Sequence, residues 1–200
     1  PGLEITLAGP TLKFNTAAVI ALTGAEIPAT LDGVPIPMWQ PVPVKAGATL
    51  KIGTVSSAGA RAYLAVRGGF DVPLYLGSAS TFTLGKFGGQ GGRALMTGDI
   101  PHIAGSYAAE PPDITGPAPL APSLRPAIAH RWDIGVLYGP HGAPDFFTPE
   151  DIDMFFGTDW EVHYNSNPTG VRLIGHKPQW ARRDGGEAGL HPSNIHDNAY

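Results

Sequence analysis

The chain has no cysteine in its 200 residues, which excludes a disulfide framework and thiolate chemistry. No apolar run approaches the roughly 20 residues that span a bilayer, and no signal peptide is visible. Basic residues are few and scattered. Lys and Arg number 13 against 17 Asp and Glu, for a formal charge of −4. Without a basic run, nucleic acid and acidic membrane surfaces are not expected partners. Neither the phosphate-loop pattern nor the hydrolase nucleophile elbow occurs.

Hydrophobic residues make up 42%, enough for a packed core. Glycine and proline, at 27 and 21, are abundant but lack the triplet period of collagen. They read as turns between short strands. "LEITL", "TLKFN", "AVIAL", "ATLDGVPI", "ATLKIG" and "RAYLAV" are strand-like pieces spaced by turn residues, with Asp32-Gly33 as a hairpin signal. They predict a mainly β, antiparallel barrel or sandwich. "AAEPPDITGPAPLAPSLRP" is a proline-rich linker or strap. Beyond it, "HRWDIGVLYGP", "WEVHYN" and "VRLIG" read as strands.

"TPEDIDMFFG" is the one clear short helix. Thr148 can cap it, Pro149 fits its first position, and Asp151 sits where a capping partner or a dipole-compensating charge belongs. Ile152, Phe155 and Phe156 share one face, and Gly157 supplies the stop. The chain thus divides into a first barrel portion over 1–107, a strap over 108–126, and a second β-rich subdomain over 127–200. The second is incomplete at its C-terminus. Both ends look cut, so the chain reads as an internal piece of a larger protein.

The stretch from Arg61 to Ala104 carries the chemistry. Arg67 and Arg93 flank Gly68-Gly69 and Gly88-Gly89. Glycines let backbone N–H groups approach a ligand, and an arginine fork reads a carboxylate or a ureido oxygen. The alternative is that both arginines are solvated or pair with Asp71 and Asp99. "GQGGRA" formally matches a dinucleotide fingerprint but lacks the strand and helix that would flank it. "DGGEAGLHPSN" places Glu187, His191, Ser193 and Asn194 in an irregular segment, and "YGPHG" does the same for Tyr138 and His141. Among the seven histidines, His191 and His196 lie five apart, which suits neither a helix face nor a strand face, so no metal is expected. Trp39, Trp132, Trp160 and Trp180 read as packing aromatics rather than a binding cage.

"LEITLAGPTLKF", "ALTGAEIPATLDGVPIPMWQPVPVKAGATLKIG" and "RAYLAVRGGFDVPLYLGSASTFTLGKFGGQGGRALMTGD" resemble the KipA-like family, also known as the second subunit of allophanate hydrolase. "WDIGVLYGPHGAPDFFTPEDIDMFFGTDWEVHYNS" and "GVRLIGHKPQWARRDGGEAGLHPSNIHDNAY" are similar to its urea carboxylase branch. Two departures stand out: Pro168 where the branch has an arginine, and His176 where it has a proline.

The resemblance implies a cyclophilin-like β-barrel and a share in carboxyl transfer from carboxybiotin to a nitrogen of urea, or of guanidine, within the cytoplasm. Donors are needed where the ureido oxygen gains charge; Arg67, Arg93 and the backbone at Gly68 or Gly88 could serve. Asp71 or Glu187 could take the acceptor's proton. Tyr138, Arg172 and Asn194 could recognise urea. The implied partners are a biotin carboxyl carrier domain, an ATP-using biotin carboxylase domain and a KipI-like half of the carboxyltransferase. The chain itself has no biotin-attachment motif and no ATP signature. The rival readings are a component of a 5-oxoprolinase, a non-enzymatic regulatory binding module and, by fold analogy alone, an isomerase.

Overall fold

The computed structural model describes residues 2–105, 118–137, 142–164, 166 and 170–183. Tyr138, Pro168, Glu187 and Asn194, with the histidines at 141, 191 and 196, lie outside them. The chain divides into two compact units, Pro1–Trp132 and Asp133–Tyr200.

The first unit is built from antiparallel strands. Strands β1 (Gly2–Thr6), β3 (Ala18–Gly24), β6 (Val42–Val44) and β8 (Arg61–Val66) form one sheet in the order β1-β8-β3-β6. Strands β2 (Thr11–Lys13), β4 (Ala29–Leu31), β5 (Val34–Pro35) and β7 (Thr49–Ile52) form a second, in the order β2-β7-β4-β5. Both feed one core, with Ile20, Leu22 and Leu64 from the first sheet meeting Leu50 and Ile52 from the second. "RAYLAV" shows why: Ala62, Leu64 and Val66 are buried, and their neighbours face out. Each fully buried side chain of this size contributes roughly 1.5–3 kcal/mol.

All six strand-like pieces of the first half are strands here. The Asp32-Gly33 hairpin is also present. Both residues have positive φ, 49° and 83°, as a two-residue primed turn requires. The Asp32 carboxylate accepts the Thr49 N–H at 2.8 Å, tying this turn to β7.

Strand β6 has no counterpart in the sequence reading, because Pro41 and Pro43 argue against a strand. It survives as an edge: Val42 and Val44 point into the core, while Pro43 points out and has no N–H to leave unpaired.

At the end of β8 the chain turns through Arg67–Gly69 into β9 (Phe70–Asp71), which pairs with β10 (His102–Ile103). Everything from Val72 to Pro101 is an excursion that leaves and returns at this ladder. The described part of the strap has one 3-10 turn, Pro122–Leu124, and the Leu120 N–H donates to the Trp39 carbonyl at 2.8 Å.

In the second unit, α1 spans Pro149–Gly157 with Thr148 and Asp151 in a reciprocal capping box. Phe155 and Phe156 of α1 are exposed, at 40% and 61%, and their rings meet edge-on. Two expectations need correction. Gly157 is the last helical residue rather than a left-handed stop, and Thr158 leaves in extended conformation. "HRWDIGV" forms no strand: its apolar residues, such as Ile134, are exposed and pair with no strand among the described residues. "WEVHYN" and "VRLIG" pair through β11 (Glu161–Val162) and β12 (Leu173–Ile174), and the His163 N–H donates to the Arg172 carbonyl at 2.8 Å beside that ladder.

Candidate functional site

The excursion is held turn by turn. Tyr75 and Ser78 exchange backbone hydrogen bonds at 2.9 and 3.0 Å around Leu76-Gly77, both with positive φ. Phe82 and Phe87 pair next, and the Phe87 ring lies 4.4 Å from that of Tyr75 and 5.2 Å from that of Phe82. Gly88 and Gly89 have φ of 73° and 52° and sit directly on Ser80 and Thr81. A Cβ at Gly88 would run into the Ser80 carbonyl, and one at Gly89 into the Thr81 hydroxyl. These two glycines are therefore required by close packing of the excursion on itself.

Gly68 and Gly69 also serve a turn. The Gly69 N–H donates to the Val66 carbonyl at 2.9 Å, and Gly68 takes φ of 85°. Arg67 is pinned there by its backbone, donating to the Val19 carbonyl at 2.8 Å, with its side chain at the exposed surface. Asp71 is exposed on β9 opposite His102. Arg67, Gly68, Gly69 and Asp71 thus share one corner at the base of the excursion.

Arg93 has a different setting. Its fork meets Asp99 with contacts of 2.7 and 2.8 Å, and one nitrogen also donates to the Ala94 carbonyl. Asp99 further accepts the Met96 N–H at 2.7 Å. The Arg93 hydrogen bond, then the Met96 N–H, lower the Asp99 carboxyl to about 2, and Asp99 in turn raises Arg93. The guanidinium closes the far end of the excursion, which is the local pairing weighed as the alternative.

Arg172 lies in the second unit, exposed, with its backbone tied to Ser166 and His163. Among the described residues no group of His, Cys, Asp and Glu is placed to hold a metal. No helix among them is long and apolar enough to cross a membrane.

Two constellations were not legible in the sequence. The first centres on Asp151, 3% exposed, whose carboxylate accepts the N–H groups of Thr148, Gln179 and Trp180 at 3.0, 2.7 and 3.1 Å. Burial acts to raise this carboxyl, but the backbone donors outweigh it and hold the group below its usual range. The Ala181 N–H reaches the Phe146 carbonyl, and the Arg182 guanidinium lies 4.1 Å from the Phe146 ring. The second is a cleft of about 490 Å³ in the first unit, lined by Gly24, Glu26, Ile27, Pro28, Met38, Trp39, Ser56 and Arg125. Only backbone folding brings these separated stretches together.

Fold and surface define an antiparallel β domain that presents a glycine-rich excursion beyond the end of β8. The chain belongs to the family described as carboxyltransferase domain, subdomain A and B, which it matches over residues 1–200. Among particular relatives, the urea amidolyase of Saccharomyces cerevisiae is 53% identical over 202 residues, covering 100% of this chain and 11% of the yeast protein. The crystal structure of Kluyveromyces lactis urea carboxylase superposes with a TM-score of 0.81 at 50% identity, covering 100% of this chain and 18% of that one. A 5-oxoprolinase component of Escherichia coli is more distant, 36% identical over 181 residues, with 88% of this chain and 53% of that protein covered. The urea carboxylase branch read from the sequence is borne out, and the chain spans only a small part of those larger enzymes.

Proposed function

We propose that this chain is part of the carboxyltransferase of a biotin-dependent urea or guanidine carboxylase. It would help move the carboxyl group from carboxybiotin to a urea nitrogen, giving allophanate. The observation that carries this reading is the match over the whole chain to urea amidolyase, at 53% identity. The reaction makes three demands: donors for a ureido oxygen, an acceptor for the proton of a weakly nucleophilic nitrogen, and exclusion of water.

In this reading Arg67 and the Gly68 N–H supply donors, and Asp71 an acceptor, at the base of the excursion. Arg93 acts through Asp99 by fixing the far end, where Gly88 and Gly89 allow the chain to fold back. From the second unit, Glu187 is assigned as the other proton acceptor, and Tyr138, Arg172 and Asn194 are assigned to urea recognition. The biotin is delivered on a carrier domain, ATP is used by a biotin carboxylase domain, and a KipI-like half completes the site. The enzyme works in the cytoplasm.

The test is ATP-dependent fixation of labelled bicarbonate by the intact enzyme. Urea or guanidine should stimulate it and yield a labelled N-carboxylated product. ATP hydrolysis stimulated by 5-oxoproline, with no response to urea or guanidine, would overturn the reading in favour of the oxoprolinase relatives. In the active enzyme, Asp71→Asn should lower transfer at least tenfold while leaving biotin carboxylation intact; unchanged transfer would remove Asp71 from the site.

A further inference from the structure

The cleft of the first unit lies outside the residues assigned to transfer, yet it is built like a site. Its wall is Trp39, a bulky residue in the left-handed region with φ of 65°. Such a conformation is unfavourable for a large side chain and persists where the surroundings over-determine it. Here they do: the Trp39 N–H donates to the Leu22 carbonyl at 2.8 Å, and its carbonyl accepts from Leu120 at 2.8 Å. Trp39 is thereby fixed in a half-buried position along the cleft.

Arg125 is fixed against this wall. Its Nε and Nη2 both donate to the Leu120 carbonyl, at 2.9 and 2.7 Å, closing the strap on itself. The guanidinium carbon lies 6.0 Å from the Trp39 ring centre. Among the described residues its Nη1 has no partner, so a pre-oriented donor remains. Glu26 offers the opposite chemistry. Its backbone carbonyl is taken by the N–H and hydroxyl of Ser56, at 2.9 and 3.3 Å, while its carboxylate is exposed and unpaired among the described residues. Ile27, Pro28 and Met38 supply apolar lining, and the volume falls within the roughly 300–1,000 Å³ of small-molecule sites.

A fixed donor, an acceptor and an aromatic wall together suit a neutral planar group with both N–H and C=O edges on an apolar frame. A cyclic urea has this pattern: its N–H groups need an acceptor and its carbonyl a donor. We propose that this cleft is a second binding site, separate from the transfer site, for the ureido ring system of biotin. Glu26 takes the ring N–H, Arg125 meets the carbonyl, and Trp39 with Met38 covers the apolar face. The choice of biotin rests on the carboxyltransferase reading; the cyclic-urea chemistry of the cleft does not.

The experiment uses the intact enzyme and a biotin amide carrying a photoreactive diazirine, with labelled peptides mapped by mass spectrometry. Label is expected on segments 24–39 and 120–125, displaced by free biotin and by 2-imidazolidinone. It should fall at least tenfold in Arg125→Gln and in Glu26→Gln, the latter an exposed change that leaves the core alone. Label absent from these segments, or unchanged in both variants, overturns the proposal. Urea-dependent bicarbonate fixation is measured beside it. An enzyme that labels in the cleft but ignores urea and guanidine fails the proposed function alone, and an active enzyme that never labels there fails this inference alone.

Discussion

The barrel strands and the glycine-rich excursion belong to one unit but are held by different means. In the barrel, Leu22, Leu50 and Leu64 come from distant positions and are stable because they share a core. In the excursion, bonds join neighbours: Tyr75 with Ser78, Phe82 with Phe87, Arg93 with Asp99. Meanwhile Leu76 stays 93% exposed, and Leu74, Leu84, Met96 and Ile100 are exposed as well. Non-local burial makes the barrel cooperative. Local turns give the excursion a shape without tying that shape to the core, so the excursion can open while the barrel stays folded, but it cannot outlast the barrel.

The largest break comes from the core. Leu50→Ala empties a fully buried position and should cost about 2–5 kcal/mol. Thermal unfolding should show one early transition that takes barrel and excursion together, since the excursion has no core of its own. An excursion that stays protease-resistant after the barrel melts would contradict the comparison.

A middle-sized effect is expected in the second unit, where the buried Asp151 carboxylate ties three backbone N–H groups together. Asp151→Ala leaves the part-buried N–H groups at Thr148, Gln179 and Trp180 without this acceptor, for a loss of about 1–3 kcal/mol. The folded carboxyl lies below its unfolded range, so its stabilisation is present above the unfolded pKa near ~3.9 and disappears as pH falls through the folded value. Asp151→Asn should flatten that acid limb of the stability curve. An unchanged acid limb would mean the clamp carries no such linkage.

The smallest change in overall stability should come from Asp99→Asn. Both partners of this ion pair are near water, so global unfolding should hardly shift. What should change is local: cleavage between Gly88 and Asp99 by a nonspecific protease should rise. In the wild type, with Asp99 at about 2, protection of that segment should hold at pH 4–5 and decline only as pH falls towards 2. Protection already lost at pH 5 would show that the pair does not hold the loop.

The same contrast explains what could be read from the sequence. Alternation in "RAYLAV" revealed the strand and its buried face, the Asp32-Gly33 pair marked the hairpin, and Thr148 with Asp151 marked the cap, because each is decided within a few residues. Strand β6 was hidden because proline propensity opposes it and only its pairing with β3 rescues it. At the candidate site, the glycines and arginines could be singled out by type. Whether Arg93 faces a ligand or Asp99 could not, because both arrangements need the same residues. The other partners of Asp151 lie nearly thirty positions away, and the cleft joins Glu26, Trp39, Ser56 and Arg125 across the fold. No window along the chain contains either constellation.

The β9–β10 ladder sets the two ends of the excursion side by side at Phe70–Asp71 and His102–Ile103. A segment entered and left through one doorway behaves as a cassette. Its length can change without re-registering any barrel strand, and doubling a flexible loop adds only ~0.6 kcal/mol of closure entropy. Excursions from relatives should therefore be transplantable onto this barrel when cut between Asp71 and His102, making that ladder the natural splice point for exchanging the segment while keeping the scaffold.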